Sequence, residues 1–482
     1  MEFNSLYFIL FITLSSCIYY IILYYLNRIN SNKFYYRNIY ILVLSIFFYS
    51  VFNLQLTFLM IMLSFIVFQL ALKIQKGEEQ NKKSYLVFGL IASISWIFFF
   101  KIIPILSKFS NFSYLNIHYL LVPLGISYYT FKLISYLLEI YWERMEAEEN
   151  FLNFLLYVSF FPQLPSGPIQ RPADFLEQIN QPIYFKNIYI IKGVQLIIFG
   201  FFKKLVVADR IGFFINPIYN SPDSFSTGFL LLAPYLYLIQ LYCDFSGLTD
   251  ISIGTAKLFG ITAPENFNKP YLSLNIPDYW RRWHISLSEW LRDYLFMPLR
   301  MNLRNLEKSG LFISTMINMG IVGLWHGFSF SYFIYGLLQG FYIIISVYTL
   351  DFRDSLFERL KISMWIRNFS ARFFTLQLAV FSLLFFKIQN PILVITYLQN
   401  MLKNNSNKND DLFFQFYWKS AIFTVIFYLI LEVIQEKFLN MEYSQDNIKK
   451  YNLVKLVFYS FILIYIMFSG VFYGSTFIYN QF

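Results

Sequence analysis

Residues 278–300 read DYWRRWHISLSEWLRDYLFMPLR, between PENFNKPYLS (264–273) and MGIVGLWHGFSF (319–330). The whole chain has 3 histidines, and two of them, His284 and His326, stand in these segments, each directly after a tryptophan. Residues 281–308 also carry six basic and three acidic residues inside an otherwise apolar chain. We therefore expect a cationic, tryptophan-rich segment with one imidazole, followed by a second imidazole in an apolar segment.

The run WRRWHISLSEW predicts a single helix. Asn275 or Asp278 can cap it, and Pro277 falls in its first turn, where proline is tolerated. At helical spacing His284 shares a face with leucines and a serine, which directs the imidazole toward the protein. The cationic candidates lie mostly off that face and are Arg281, Arg282 and Arg292.

The composition indicates a polytopic membrane protein. Hydrophobic residues make up 57% of the chain and charged residues 14%, whereas a soluble domain carries about 25% charge. The net charge of +10 comes in short clusters between apolar runs, a pattern typical of contact with anionic lipids and of basic cytoplasmic loops. We therefore expect a lipid bilayer and no nucleic acid as partner, and no metal cluster is visible in the sequence.

The apolar runs predict an all-α protein with about eleven transmembrane helices plus re-entrant pieces, in one transmembrane domain over residues 1–482. The long run 38–72 predicts a hairpin interrupted near Asn53, with legs too short to span fully. In the segment 154–175, three prolines and a glycine fall within residues 162–168, so part of it must be non-helical. In a membrane such a stretch lines a cavity or packs on protein, and an ordinary proline-rich connecting loop is the alternative. Asp244 and Asp250 predict either functional carboxylates or helix caps at an interface.

Two imidazoles near a cationic segment suit acyl transfer from a thioester to a hydroxyl. One imidazole takes the hydroxyl proton, and the basic residues attract a phosphate-bearing donor such as a coenzyme A or phosphopantetheine group. A structural, hydrogen-bonding role for either histidine is equally open from spacing alone. His118, in the tyrosine-rich string YLNIHY, is assigned no role.

With these motifs the chain resembles the membrane-bound O-acyltransferase (MBOAT) superfamily, and within it the bacterial alginate O-acetyltransferase branch. The family-like core covers about 120–350, with further similarity from about residue 40 to the end. The strings that carry the resemblance are VPLGISYYTF (122–131), SFFPQLPSGPIQR (159–171), GFFKKLVVAD (200–209), DFSGLTDISIG (244–254), PENFNKPYLS (264–273), WRRWHISLSEWLRDYLFMPL (280–299), GLWHG (323–327) and the terminal FIYNQF.

The resemblance implies a ring of tilted helices around a central tunnel, in the inner (cytoplasmic) membrane. It implies that His326 is the catalytic histidine and His284 the second motif histidine. It implies no bound cofactor, because acetyl-coenzyme A or another acyl thioester arrives as a substrate from the cytoplasm. The acceptor is then an extracytoplasmic polysaccharide, and an extracytoplasmic acyltransferase- or esterase-like protein completes the transfer. Further residues, for donor binding or for structure, are Arg281, Arg282, Arg292, Trp283, Trp325 and Asn266.

Two features bear on which acyl group is transferred. The family's alginate branch usually continues past the MPL-like segment with two glycines, an Asn and an Arg, whereas this chain reads MPLRMNLRN. Related enzymes that D-alanylate teichoic acids also lack those glycines, but they tend to carry Asn where this chain has Arg281. Acetyl transfer is therefore favoured over D-alanyl transfer. A transporter is the alternative of a different class, and no internal repeat supports it.

Overall fold

The computed structural model describes residues 3, 5–28, 33–102, 123–165, 167–181, 187–403, 412–440 and 448–472. Within these residues the regular structure is helical and no strand occurs, which confirms the all-α prediction. His118, the polar break NNSNKNDD (404–411) and the terminal FIYNQF lie outside the described residues.

The chain divides into two compact units, residues 1–197 with 249–265, and residues 198–248 with 266–482. The prediction of a single domain over 1–482 stays a prediction. Among the described residues, the first unit contains the helices α1 (Leu6–Arg28), α2 (Lys33–Phe52), α3 (Leu54–Lys76), α4 (Glu79–Ile97), α5 (Ile126–Tyr141), α6 (Phe151–Ser159), α7 (Pro172–Asn180) and most of α8 (Asn187–Phe201).

The predicted hairpin of residues 38–72 is interrupted at Asn53, as expected. The Asn53 side chain accepts a hydrogen bond from the Leu56 amide at 2.9 Å and caps α3. The expectation of short legs is wrong, because α2 has 20 residues and α3 has 23. At about 1.5 Å per residue, each leg reaches the ~30 Å of a bilayer core. The helix α3 continues past the apolar run, and Lys73 and Lys76 lie in its last turn, where cations are favourable.

The proline-rich segment is non-helical between α6 and α7, as predicted. Gln163 and Gln170, both buried, hydrogen-bond each other at 2.6 Å inside it. From α5, the buried Lys132 donates to the Tyr157 carbonyl and to the Gln163 side chain, both at 2.9 Å. These bonds satisfy polar groups that a helix would otherwise pair internally.

The start of α5 also has a visible cause. Gly125 precedes α5 with φ +66°, a left-handed conformation, and a Cβ atom there would lie 1.9 Å from the Leu164 carbonyl oxygen. Only glycine permits this approach at low cost, so α5 begins after Gly125.

The second unit follows from the end of α8 onward. Its described helices are α9 (Asp209–Asn220), α10 (Thr227–Leu258, up to residue 248 in this unit), α11 (Ile276–Trp280), α12 (Ile285–Leu291), α13 (Met297–Asn302), α14 (Glu307–His326), α15 (Phe330–Tyr348), α16 (Leu350–Arg359), α17 (Met364–Lys387), α18 (Pro391–Leu402), α19 (Leu412–Asn440) and α20 (Ile448–Ser469).

Eight helices in the described part of the chain are long and apolar enough to cross a membrane. The polytopic membrane class is therefore confirmed, whereas the count of about eleven spans stays a prediction. The eight candidate spans are Leu6–Leu26, Tyr35–Phe52, Leu54–Lys76, Glu79–Lys101, Thr227–Leu258, Phe330–Tyr348, Met364–Lys387 and Tyr417–Lys437.

Candidate active site

The segment that holds His284 is not one helix, contrary to the sequence prediction. The helix α11 ends at Trp280, and α12 begins only at Ile285. His284 itself has φ 44° and ψ 55°, a left-handed conformation that is uncommon for residues other than glycine. Such strained positions persist only where surrounding contacts impose them, and they concentrate at functional sites.

The contacts that impose the break come from residues 266–268 of the PENFNKPYLS motif. The Asn268 amide donates to the Arg282 carbonyl at 2.9 Å, and the Ile285 amide donates to the Asn266 carbonyl at 2.9 Å. These bonds use backbone groups on both sides of His284 for pairing between segments. A continuous helix would have used the same groups internally.

The buried Asn266 side chain also holds His284 directly. Its Oδ1 atom accepts from the Ser286 hydroxyl at 2.8 Å and from the Ser286 amide at 3.1 Å, and it lies 3.1 Å from His284 Nδ1. Because a carbonyl oxygen only accepts, this network assigns the proton to Nδ1 and the ring lone pair to Nε2. Asn266 is therefore a positioning residue for the imidazole.

Burial determines the charge state of His284. The residue is 1% exposed, and burial lowers the pKa of His284 to about 3, because the charged imidazolium loses its hydration there. Aromatic rings surround it, with the Phe245 ring edge-on at 4.8 Å between centroids. The imidazole is therefore neutral at physiological pH, and its Nε2 lone pair is suited to accept a hydrogen bond.

An asparagine caps the short helix α11, and the arginines beside it differ in exposure. Asn275, not Asp278, caps α11, with Oδ1 accepting from the Asp278 amide at 2.8 Å. Arg282 pairs with Asp278 at 3.0 Å, as the i,i+4 spacing predicts. Arg281 is exposed on the same short segment.

Arg292 takes no part in the backbone pairing between residues 266–268 and the segment around His284. It is exposed and pairs with its neighbour Asp293 at 2.7 Å. That contact raises the pKa of Arg292 further, so the guanidinium remains charged. Arg281 and Arg292 are thus the exposed arginines of the segment, whereas Arg282 is half-buried in its pair with Asp278.

His326 is the last residue of α14 and is 4% exposed. Its ring lies 4.8 Å from Phe386 of α17 and within 6.4 Å of Tyr332 and Tyr335 of α15. Gln389 donates to the Tyr332 hydroxyl at 2.9 Å, which fixes one wall of this aromatic cage. The second imidazole therefore lies in a shielded, apolar setting.

The hairpin of α14 and α15 positions His326 through very close backbone packing. A Cβ atom on Gly323 would lie 2.3 Å from the Tyr332 carbonyl oxygen, and one on Gly336 would lie 2.2 Å from the Met319 carbonyl oxygen. The glycine of GLWHG that precedes the Trp-His pair therefore lets the two helices approach, which brings the tyrosines of α15 to the imidazole.

Trp325 connects the two histidine settings inside the second unit. Its ring centroid lies 4.7 Å from that of His326 and 6.1 Å from that of His284. The fold thus brings together two histidines that are 42 residues apart in the sequence, with one indole in contact with both. Trp283 has a different task, because it stacks on Tyr279 at 5.8 Å and packs on Phe267 at 5.1 Å.

A buried carboxylate that the sequence analysis missed supports the same region. Glu432 of α19 accepts hydrogen bonds from Tyr242, Tyr271 and Tyr428. Tyr271 belongs to the PENFNKPYLS motif, so Glu432 ties α19 to the segment that holds His284. The available signal was an acidic residue inside an apolar run, which is costly unless satisfied.

Asp244 is not a helix cap, because it lies inside α10. It pairs with the fully buried Lys204 at 2.8 Å, and Lys204 also pairs with Asp209 at 2.8 Å. The second lysine of the string FFKKLVVADR is therefore buried and paired inside the protein. Removing one partner of such a group is strongly destabilising.

Across the described ranges, no group of three or more His, Cys, Asp or Glu side chains is arranged to hold a metal ion. The prediction of a reaction without a metal stays a prediction. The two imidazoles are surrounded by an orienting amide and by shielding aromatic rings. These are the requirements of proton transfer in a water-poor site.

Comparison with known proteins agrees with this chemistry. A family model described as the membrane-bound O-acyltransferase family matches residues 41–386. The chain is 34% identical over 369 residues to the peptidoglycan O-acetyltransferase of Helicobacter pylori, an alignment that covers 69% of this chain and 68% of the relative. It is 32% identical over 320 residues to the probable alginate O-acetylase of Pseudomonas aeruginosa, covering 64% of this chain and 61% of the relative.

A third relative is named for the transfer of a different acyl group. The chain is 36% identical over 273 residues to the teichoic acid D-alanyltransferase of Bacillus subtilis, covering 54% of this chain and 67% of the relative. The match to the family model extends beyond the core of about 120–350 that the motifs marked, and it covers more than half of the chain. The chain belongs to the membrane-bound O-acyltransferase family.

Proposed function

We propose that this acyltransferase moves an acetyl group from a cytoplasmic thioester toward hydroxyls of a polysaccharide beyond the cytoplasmic membrane. Two relatives named for O-acetyl transfer support the acetyl group and the polysaccharide class. The observation that carries the catalytic part is the position of Trp325, whose ring contacts both buried imidazoles.

In this proposal His326 is the general base. Its imidazole accepts the proton of an acceptor hydroxyl while the oxygen attacks the thioester carbonyl carbon. The new carbon–oxygen bond forms, the carbon–sulfur bond breaks, and the proton passes to the departing thiolate. The aromatic cage around His326 excludes water, which would otherwise compete as an acceptor.

His284 assists from the other side of Trp325. Asn266 fixes its orientation and tautomer, and burial keeps it neutral. Its Nε2 side is therefore suited to accept a hydrogen bond from the donor or from an ordered water. Trp283 and Asn266 act through His284, so we assign them positioning roles.

The arginines have separate tasks in the proposal. Arg281 and Arg292 are exposed and suit the phosphates of a coenzyme A or phosphopantetheine donor. Arg282 is held by Asp278 and stabilises the short helix. Donor binding needs no resident cofactor, because the thioester is consumed in each turnover.

D-Alanyl transfer is the second candidate, and the similarity to the Bacillus relative favours it. The test supplies the full-length protein in nanodiscs with acetyl-coenzyme A or with a D-alanyl-loaded carrier protein, and measures thioester loss with a hydroxyl acceptor present. Acetyl-coenzyme A should be consumed and the alanyl thioester left intact. Consumption of the alanyl thioester alone would overturn the acetyl assignment.

The same assay separates the arginines. Arg281→Gln should raise the KM for the donor with little change in kcat, whereas Arg282→Gln, its matched neighbour, should lower thermal stability.

The acceptor side is tested by adding soluble polysaccharide fragments with and without an extracytoplasmic acyltransferase- or esterase-like protein from the same cells. Transfer to polysaccharide should require that partner.

A further inference from the structure

A cavity of about 420 Å³ lies within the second unit, away from the residues assigned to catalysis. Its walls are the last turns of α15, the start of α16, the first half of α17 and residues 274–276. The volume is in the range of about 300–1,000 Å³ that small ligands occupy in proteins.

The cavity walls are apolar even where they contain serine and threonine residues. The hydroxyls of Thr349, Ser370 and Thr375 each donate to a carbonyl oxygen four residues earlier, at 2.6, 2.9 and 2.7 Å. Such back-bonding uses the donor proton inside the wall's own backbone. The cavity therefore presents methyl and aromatic groups to an occupant, with Phe374 and Leu378 among them.

Arg353 is the charged member of the described lining. Its Nη2 donates to the Ser346 carbonyl at 2.8 Å and its Nε contacts the Thr349 carbonyl at 3.4 Å, which anchors the guanidinium on the last turn of α15. The adjacent Asp354 pairs with Arg367 instead. An anchored positive charge thus stands beside an apolar cavity.

The surroundings of this charge are typical of a membrane surface. The candidate span Phe330–Tyr348 ends at the cavity. Residues 350–374 then carry five basic and three acidic residues. Apolar side chains on α16 and at the start of α17 are exposed, including Phe352, Trp365 and Phe369. Apolar and cationic side chains together are typical of an element lying at an anionic lipid interface.

We propose that this cavity binds an anionic phospholipid, with one acyl chain inside it and the phosphate at Arg353. The positive charge of Arg353 favours an anionic headgroup. The hydroxyls of the wall are bonded to its own backbone, so the cavity favours a hydrocarbon chain. Asn275, which caps α11, lines the cavity. The bound chain therefore braces the start of the segment that leads to His284.

The test uses the full-length protein purified in detergent from membranes containing phosphatidylglycerol and phosphatidylcholine, with the retained lipid measured by mass spectrometry. The wild type should retain phosphatidylglycerol selectively. Arg353→Gln should retain about tenfold less, the loss expected for one charge-assisted hydrogen bond. Arg359→Gln is the matched control, because Arg359 is exposed on the same helix and does not line the cavity.

A second variant tests the cavity itself. Ala371→Phe should fill the space and also reduce the retained phosphatidylglycerol, while gel filtration and detergent melting show that the protein is folded. A photoreactive group on the acyl chain should crosslink to residues 342–349 or 371–378 in the wild type only. Equal retention of both lipids, or wild-type retention by Arg353→Gln, would overturn the proposal.

Discussion

At the scale of single residues, His284 and His326 are held in different ways. His284 has a left-handed backbone and a side chain oriented by Asn266. His326 ends a regular helix and is surrounded by rings. The first arrangement fixes a tautomer, and the second excludes water, so the two imidazoles are suited to different parts of one reaction.

His326→Ala should reduce acyl transfer by about 10²–10⁴-fold, the usual contribution of a positioned base. His326→Gln should not restore it, because an amide can hydrogen-bond but cannot accept the proton. The measurement is thioester turnover by the purified variants, with detergent melting as the control for folding. Turnover near that of the wild type in the Gln variant would show that His326 is structural.

The protonation of His284 predicts a pH dependence of stability. Its pKa is about 6.5 when unfolded and about 3 in the fold. As pH falls, the unfolded state binds the proton first. The contribution is therefore complete above about pH 6.5 and is lost toward pH 3, by about 1.4 kcal/mol per pH unit. Detergent melting of the wild type should fall more steeply with decreasing pH than melting of His284→Gln, and parallel curves would contradict this.

At the scale of elements, the pairing of residues 266–268 with the segment around His284 decides the local structure. Glu432 of α19 holds the same motif through Tyr271, and Lys269 pairs with Glu436 one turn further on. The motif residues therefore act as a brace between α19 and His284. In the proposed function, their effect on activity is exerted through the position of the imidazole.

Asn266→Ala should destabilise the protein by roughly 1–3 kcal/mol, because buried donors of Ser286 lose their acceptor. It should also lower kcat, since His284 loses the contact that orients it. Asn268→Ala is the matched control, because its side chain is exposed and the backbone bond to Arg282 survives the substitution. Melting and turnover are measured on both variants. Equal effects would argue against the orienting role of the Asn266 amide.

At the scale of the whole molecule, the side of the membrane that the basic segments face determines the side from which the proposed donor arrives. The Tyr348 hydroxyl hydrogen-bonds to the Lys308 carbonyl, so the start of α14 and the end of α15 lie at the same level. Residues 281–308 and 350–374 are both rich in basic residues. From the positive-inside bias we expect both segments to face the cytoplasm.

Cysteines introduced at Asn305 and Lys361, both exposed, should resist an impermeant thiol reagent in intact cells and react in inverted vesicles. Cys17 is exposed and must first be replaced to remove the background, whereas Cys243 is buried. Labelling of either site from outside would reverse the donor side of the proposal. Labelling of only one would contradict the shared level of the two segments.

The sequence by itself determined the class, the family motifs and many of the interruptions. Apolar runs of sufficient length must be helical in a bilayer, because only helices and closed barrels satisfy the backbone there. Prolines and glycines mark where a helix cannot continue, as the segment between α6 and α7 and the start of α5 show. The i,i+4 pair of Asp278 and Arg282 likewise follows from helical spacing alone.

Only the tertiary structure decided where His284 points and what surrounds it. The sequence around His284 has helical propensity, and the break results from backbone bonds to residues 266–268. The ion pair of Lys204 with Asp209 and Asp244, and the three tyrosines on Glu432, join residues from different elements. The local sequence pattern indicates which residues are costly to bury. The partners that offset that cost lie on elements far apart in the chain, so packing alone determines them.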